Sequence, residues 1–96
     1  MFYLARDLGY EVKNWSYVMQ SFDYLGRILQ LDHDYGNAVI AYKKLLQLAW
    51  VTNSYEYEVR AYANLAKQNF YLSYPKKSEG YAVRALQGMV ESRKSS

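Results

Sequence analysis

The chain has 96 residues, and its 12 Lys and Arg against 9 Asp and Glu give a formal net charge of +3. Apolar residues make up 51% and charged residues 22%, which excludes a disordered chain, and the length allows one small domain. Because it contains no cysteine, disulfides, thiolate metal sites and a cysteine nucleophile are excluded.

The first half of the chain reads as helix. The opening MFYLARDLG indicates the end of one helix that stops near Gly9. A second helix is predicted from about residue 14 to 31, because apolar residues recur there at helical spacing. Its inward face is predicted to carry Val18, Phe22, Leu25 and Leu29.

A turn at DHDYG precedes the next predicted helix. Asp34 is placed to cap its first turn, and the helix is predicted to run to about Trp50. Its inward face is predicted to carry Ala38, Tyr42, Leu45 and Ala49, with Lys43 and Lys44 on the solvated back.

The second half predicts two further helices. Asn53 is in position to cap the next helix, with Glu56 completing a capping box. The inward residues there are predicted to be Val59, Tyr62, Leu65 or Ala66, and Phe70. Pro75 suits the first position of a last helix that reaches about Glu91. Gly80 and Gly88 weaken that helix by up to about 1 kcal/mol each.

Two segments of the chain are related by a constant offset in residue number. SFDYLGR (21–27) and AYANLAK (61–67) match by aromatic, leucine, small residue and base. An internal period of this size is typical of stacked helical repeats. The sequence therefore divides into the end of a preceding repeat helix with a linker (1–13), one repeat (14–53), a second, degraded repeat (54–91) and a frayed tail (92–96).

The repeats resemble the tetratricopeptide repeat (TPR), a helix–turn–helix unit. The motif residues are Phe22, Leu25, Gly26 and Leu29 with Ala38, Tyr42 and Leu45, and Tyr62, Leu65, Ala66 and Asn69 with Ser78, Ala82 and Ala85. The 40-residue period is similar to the longer-helix subclass of the G-protein-signalling modulators (the Pins/LGN proteins). The resemblance implies an all-α superhelical solenoid fragment of antiparallel helix pairs, with Gly26 facing Ala38 and Ala66 facing Ser78.

The resemblance also implies a function: TPR units hold peptides or partner helices on the concave surface formed by their first helices. Helical spacing puts Gln20, Asp23, Tyr24, Arg27 and Leu31 on one stripe, and Arg60, Ala63, Asn64, Lys67 and Tyr71 on the equivalent stripe. We expect Arg27, Arg60 and Lys67, with Asn64, to form a basic ladder for an extended acidic peptide. The alternative is that these are solvated charges, some of them paired with Asp23 or Glu58.

The sequence gives less support to other classes of function. Asp32, His33 and Asp34 offer metal ligands or an acid–base pair, but they lie in a turn and no other histidine or cysteine converges on them. No catalytic group, metal site or cofactor is therefore predicted, and the chain is not expected to be an enzyme. RNA binding is a lesser alternative, because the basic excess is small for contacts to phosphate.

The setting implied by the family is cytoplasmic, and cytoskeletal association is one version of it. A structural repeat array within a larger cytoskeletal or ciliary assembly is the main alternative to peptide binding. About two repeats are too few to cover their own apolar end faces. We therefore expect either a piece of a longer array or self-association through those faces. Trp15 and Trp50 are expected to pack at junctions between repeats.

Overall fold

A computed structural model shows an all-α protein. It describes the backbone of residues 8–95 and the side chains of residues 15–91. The described part contains four helices and no strand: α1 (Leu8–Leu31), α2 (Tyr35–Thr52), α3 (Tyr55–Tyr71) and α4 (Pro75–Ser95).

The helices pack in the order of the chain. Each contacts its neighbours in sequence, α1 also touches α3, and within the described residues α4 contacts neither α1 nor α2. The molecule measures 46 × 34 × 18 Å, and its radius of gyration of 14.6 Å exceeds the value of about 12.5 Å expected of a compact chain of this length. The four helices are thus arranged in chain order, with α1 and α3 in contact, and do not surround one centre.

The three turns between the helices share one backbone geometry. Each contains a left-handed residue that is not glycine: His33 (φ 61°), Asn53 (φ 56°) and Ser73 (φ 67°). The amide of that residue donates to the carbonyl three residues before it, at 2.9, 3.3 and 3.1 Å in chain order. The next amide donates to the carbonyl five residues before it, at 2.8, 2.9 and 2.8 Å. This is the Schellman pattern, which satisfies carbonyls that a helix end leaves unpaired.

These turns divide the chain into equal steps. The left-handed residues stand at 33, 53 and 73, and the helices that follow begin at 35, 55 and 75. One helix and its turn therefore make one step, and two steps make the offset that relates segment 21–27 to segment 61–67. The same step relates Leu45, Leu65 and Ala85, which are all buried.

The predicted inward faces are confirmed for α2 and corrected in part for the other helices. Ala38, Tyr42, Leu45 and Ala49 are all buried. On α1, Phe22 and Leu29 pack against the core, but Leu25 is 43% exposed. The buried line of α1 instead passes through Met19, Asp23 and Gly26.

A similar correction applies to α3. Tyr62, Leu65 and Ala66 are buried as predicted, but Phe70 is 68% exposed. Asn69, three residues after Ala66, continues the buried face in its place. Steps of three and four residues follow one face of a helix, and after 62, 65 and 66 they favour 69 over 70.

The helix ends confirm two of the predicted signals. The Asp34 carboxylate accepts from the Asn37 amide at 3.4 Å and from the Asn37 side chain at 2.8 Å, so it caps α2. Pro75 is the first residue of α4.

Three other boundary predictions are wrong. Asn53 ends α2, and α3 is preceded by Ser54, whose side chain makes no capping bond, so the Asn53–Glu56 capping box does not form. The helix does not stop at Gly9, because α1 begins at Leu8 and passes through it. The predicted tail is helical over residues 92–95, while residues 1–7 and 96 lie outside the described part.

Small residues lie where the paired helices approach each other. A Cβ placed on Gly26 would lie 2.5, 2.6 and 2.9 Å from three ring carbons of Tyr42, whose side chain is fully buried. In the other pair, the Ser78 hydroxyl donates to the Ala66 carbonyl at 2.8 Å, as the predicted Ala66–Ser78 contact requires. Gly26 thus packs against Tyr42, one turn along α2 from Ala38.

We expect Gly26→Ala to lower the free energy of unfolding by about 1–3 kcal/mol, because the added methyl group overlaps a rigid ring that has no room to move. Gly80 is the matched control, since nothing lies within 4 Å of its Cβ position. Gly80→Ala should raise stability by up to about 1 kcal/mol through helix propensity. Urea denaturation of both variants measures the difference, and equal stability of the two would contradict the close Gly26–Tyr42 approach.

Candidate functional site

The surface shared by α1 and α3 is organised by a buried carboxylate. The Asp23 side chain on α1 is only 4% exposed. Its Oδ2 accepts from Arg60 on α3 at 3.1 Å and lies 3.5 Å from Arg27 on its own helix. Arg60 also reaches Glu56 at 3.2 Å. One buried acid therefore holds two arginines and joins the two helices.

This carboxylate affects the pKa values of two neighbours. The hydrogen bond that Arg60 donates to Asp23 raises the pKa of Arg60 above its usual value, with desolvation opposing the change. Burial raises the pKa of Tyr42 to about 12; the Asp23 charge adds to this effect and the Arg27 charge opposes it. Both groups therefore keep their protons through the neutral range.

Two further contacts join the α1 side of the surface to α3. The Gln68 amide, which is fully buried, donates to the Gln30 side chain at 2.7 Å. Tyr71 stacks on Tyr35 with ring centroids 4.7 Å apart, and the Tyr35 hydroxyl lies 2.9 Å from His33 Nδ1. Asp23–Arg60 and Gln30–Gln68 therefore join α1 to α3, and the Tyr35–Tyr71 stack joins the start of α2 to the end of α3.

The eight residues predicted to bind a peptide are defined here as the α1/α3 face: Gln20, Asp23, Tyr24, Arg27, Arg60, Asn64, Lys67 and Tyr71. Six of them are exposed, Asn64 is half-buried and Asp23 is buried. Tyr24 is 65% exposed and stands beside Gln20 in a small surface hollow.

The basic ladder is only partly available to a ligand. Asn64 donates to the Arg60 carbonyl at 2.8 Å within its own helix, and Arg60 is held by Asp23 and Glu56. Arg27 keeps 60% of its side chain exposed, and Lys67 is exposed. The prediction that some of these charges pair with Asp23 is confirmed, which leaves Arg27 and Lys67 as the accessible cations of the face.

A second basic feature lies elsewhere. A cleft of about 390 Å³ is bounded by α2, the end of α3 and α4, and Lys43, Lys77 and Arg84 line it. Lys77 lies over the Tyr74 ring at 5.0 Å. None of the cleft's lining residues belongs to the α1/α3 face. Sequence reasoning placed Lys43 on a solvated back and gave no sign of the cleft, because its lining residues come from separate helices and the turn before α4.

The Asp-His-Asp turn has structural roles. His33 supplies the left-handed residue of the first turn, and Asp34 caps α2. Among the described residues no three His, Cys, Asp or Glu side chains come close enough to hold a metal ion. No described helix combines the length and apolar character needed to cross a bilayer.

Comparison of the chain with protein-family models, with curated proteins and with solved structures found no match.

The Asp23–Arg60 link is open to a direct test. We expect Arg60→Gln to lower the free energy of unfolding by about 1–3 kcal/mol, because it leaves a buried carboxylate without its shorter charged partner. Arg27→Gln is the matched control and should cost less than about 1 kcal/mol, since that pair is longer and solvated. Chemical denaturation at neutral pH compares the two, and an equal loss would show that Arg60 is not the principal partner.

The Tyr42 hydroxyl gives a test with a pH dependence. It is buried without a hydrogen-bond partner among the described residues. We therefore expect Tyr42→Phe to change stability at pH 7 by less than about 1 kcal/mol, or to increase it.

Above pH 10 the wild-type protein should behave differently. The unfolded tyrosine ionises near its model value of 10.0 while the folded one keeps its proton to about 12. Stability is thus complete below pH 10 and falls as the pH rises through 12, by up to about 2–3 kcal/mol. Denaturation at pH 7, 10 and 11.5 should show a smaller alkaline loss for Tyr42→Phe, and parallel curves for the two proteins would rule the mechanism out.

Proposed function

We propose that this chain is a non-enzymatic, TPR-like superhelical scaffold that binds an extended, acidic segment of a protein partner across the α1/α3 face. The proposal is supported by the turns, which recur in equal steps at 33, 53 and 73, and by the close contacts at Gly26 and Ala66. Such contacts are what the TPR resemblance predicts for paired helices.

The observation that carries the proposal is the rigid coupling of α1 to α3. Asp23–Arg60 and Gln30–Gln68 join the two helices beneath the face. A surface fixed in this way loses little conformational entropy when a ligand binds, which favours affinity.

The exposed groups on the face suit an acidic peptide. Arg27 and Lys67 occupy equivalent positions of the two repeats, at the ends of the matching segments 21–27 and 61–67. Tyr24 and Tyr71 add exposed rings that bury area at little cost in side-chain entropy. Cations with interspersed tyrosines complement carboxylates that alternate with apolar side chains.

The alternatives differ in how much supports them. A structural array within a larger assembly uses the same scaffold with its end faces covered, and the exposed apolar residues of α1 and α4 favour it as the second candidate. RNA binding has no comparable support, since the accessible cations on the face are few. The family resemblance places a scaffold of this kind in the cytoplasm, where cytoskeletal partners are one class of ligand.

The test uses peptides selected for binding to the wild-type protein from a random library. We expect the Arg27→Glu, Lys67→Glu double variant to bind the selected peptides at least about tenfold more weakly, because two attractive contacts become repulsive. Binding is measured by fluorescence anisotropy at two salt concentrations, and the wild-type affinity should fall as salt increases.

Lys44→Glu, Lys76→Glu is the matched control. Both lysines are exposed, neither belongs to the α1/α3 face, and the pair changes the net charge by the same amount. This variant should bind as the wild type does. Undiminished binding by the Arg27, Lys67 variant would refute the assignment of the face, and equal weakening of both variants would reduce the effect to net charge.

A further inference from the structure

The two end helices expose apolar residues at positions that are buried in the middle of the molecule. The residues of α3 at 61, 65 and 68 are fully buried, and their equivalents one repeat earlier, on α1, are Ser21, Leu25 and Ile28. Leu25 is 43% and Ile28 48% exposed. The same position is therefore interior on α3 and surface on α1.

The same comparison applies to the other end. Leu46 and Ala49 on α2 are buried, and their equivalents on α4, Leu86 and Met89, are 62% and 47% exposed. Val90 on α4 is exposed as well. Apart from Ser21 the exposed residues of both sets are apolar, although solvent-facing positions on a helix usually carry polar side chains.

The packing order explains these differences. Helix α3 contacts both α2 and α4. Within the described residues, no helix packs against α1 in the way that α2 packs against α3. Likewise α2 lies between α1 and α3, whereas in the described part of the chain α4 packs only against α3. The exposed set on α1 thus corresponds to the side of α3 that α1 and α2 cover, and the exposed set on α4 corresponds to the side of α2 that α3 covers.

We propose that these two faces bind each other in successive copies of the chain, α4 of one copy packing against α1 of the next in the geometry of the internal α2–α3 junction. Leu86 then takes the place of Leu46, and Leu25 the place of Leu65. The occupant of each end face is a second copy because that copy carries the complementary face in the required geometry. The contact is head to tail, so both ends of every assembly keep one open face.

The contact between first helices supports this arrangement independently. Within one copy, Gln30 on α1 bonds Gln68 on α3 at 2.7 Å. Across two copies the equivalent positions are Phe70 of one copy and Ile28 of the next, whose side chains are 68% and 48% exposed. A polar pair is replaced by an apolar pair, so neither member is left with an unsatisfied buried polar group.

The charges across the junction are compatible as well. The position equivalent to Asp23 is Ala63 of one copy, and the position equivalent to Arg60 is Gln20 of the next. Both residues are uncharged. The Asp23–Arg60 pair is therefore replaced without leaving a lone buried charge.

The helix ends leave room for the contact. The position of the α2–α3 turn at residues 53 and 54 corresponds to 93 and 94 on α4 and to 13 and 14 on α1. Helix α4 runs on to Ser95, and α1 begins earlier, at Leu8. In an antiparallel pair both extensions point in the same direction and lie side by side, so they lengthen the contact.

The test is sedimentation velocity of the full chain over a range of concentrations. The wild type should form assemblies whose size increases with concentration. Leu25→Asp blocks the α1 face and Leu86→Asp blocks the α4 face, so each variant alone should stay monomeric at concentrations where the wild type associates. Association should weaken by about tenfold or more, because an apolar contact is lost and a charge is buried.

Mixing the two variants separates head-to-tail packing from other modes. Leu25→Asp keeps a working α4 face and Leu86→Asp keeps a working α1 face, so an equimolar mixture should form a heterodimer and nothing larger. A monomeric mixture would overturn the proposal, and so would a symmetric dimer formed by either variant alone or a wild type that is monomeric at all concentrations.

Val51→Asp is the matched control. Val51 is apolar and 74% exposed on α2, outside the two end faces, and its substitution should leave assembly unchanged. Circular dichroism and urea denaturation should show that all three variants fold, because each replaced side chain already reaches solvent in a single copy. Peptide binding to the α1/α3 face is a separate measurement, so failure of assembly leaves the proposed function standing, and the reverse also holds.

Discussion

The packing of Tyr42 against Gly26 is the contact on which the rest of the structure depends. It places the tip of the Tyr42 ring against the α1 backbone, where a methyl group at residue 26 would collide. The ring is fully buried although its hydroxyl has no partner among the described residues, so an apolar contact here outweighs an unsatisfied polar atom. This contact sets the position of α1 relative to α2, and therefore also the position along α1 at which Asp23 meets Arg60.

The buried carboxylate then determines what kind of surface α1 and α3 present. Without Asp23 the face would carry three cations, Arg27, Arg60 and Lys67. The Asp23 carboxylate pairs with Arg60 across the two helices and also lies near Arg27 on its own helix. A buried ion pair contributes little to stability by itself, but breaking it leaves an uncompensated charge and is strongly destabilising. Asp23 thus lowers the positive charge of the surface and fixes the distance between two helices, and its charge adds to the burial that raises the Tyr42 pKa.

The sequence predicted the elements better than the faces that they bury. Periodic apolar residues and the signals at Asp34 and Pro75 located helices that the structure contains, and the predicted face of α2 was correct. Leu25 and Phe70 were predicted inward and are exposed, since their burial depends on neighbours that a periodicity does not specify. The aromatic residues Phe22, Tyr42 and Tyr62 are separated by the step from one helix to the next. Sequence reasoning recognised only the longer period of a helix pair.

The turns and the α1/α3 face mark a second limit of sequence reasoning. His33, Asn53 and Ser73 share a left-handed backbone, yet none is glycine, so composition gave no sign that they are equivalent. Helical spacing placed Asp23 among the binding residues, with pairing to a neighbouring cation as the alternative, and only the three-dimensional contact shows that Arg60 is the shorter partner. A charge pair between residues on different helices cannot be read from local spacing.

The two proposals are connected by the way in which first helices lie beside each other. In head-to-tail packing, α3 of one copy lies beside α1 of the next, so the α1/α3 faces of successive copies become one continuous surface. A ligand that spans the junction contacts both copies and stabilises their association by mass action. Association in turn raises the ligand's affinity by the same factor, because coupling between two binding equilibria is reciprocal. A ligand confined to one copy has no such effect, so the length of the bound segment determines whether partner binding and assembly are coupled.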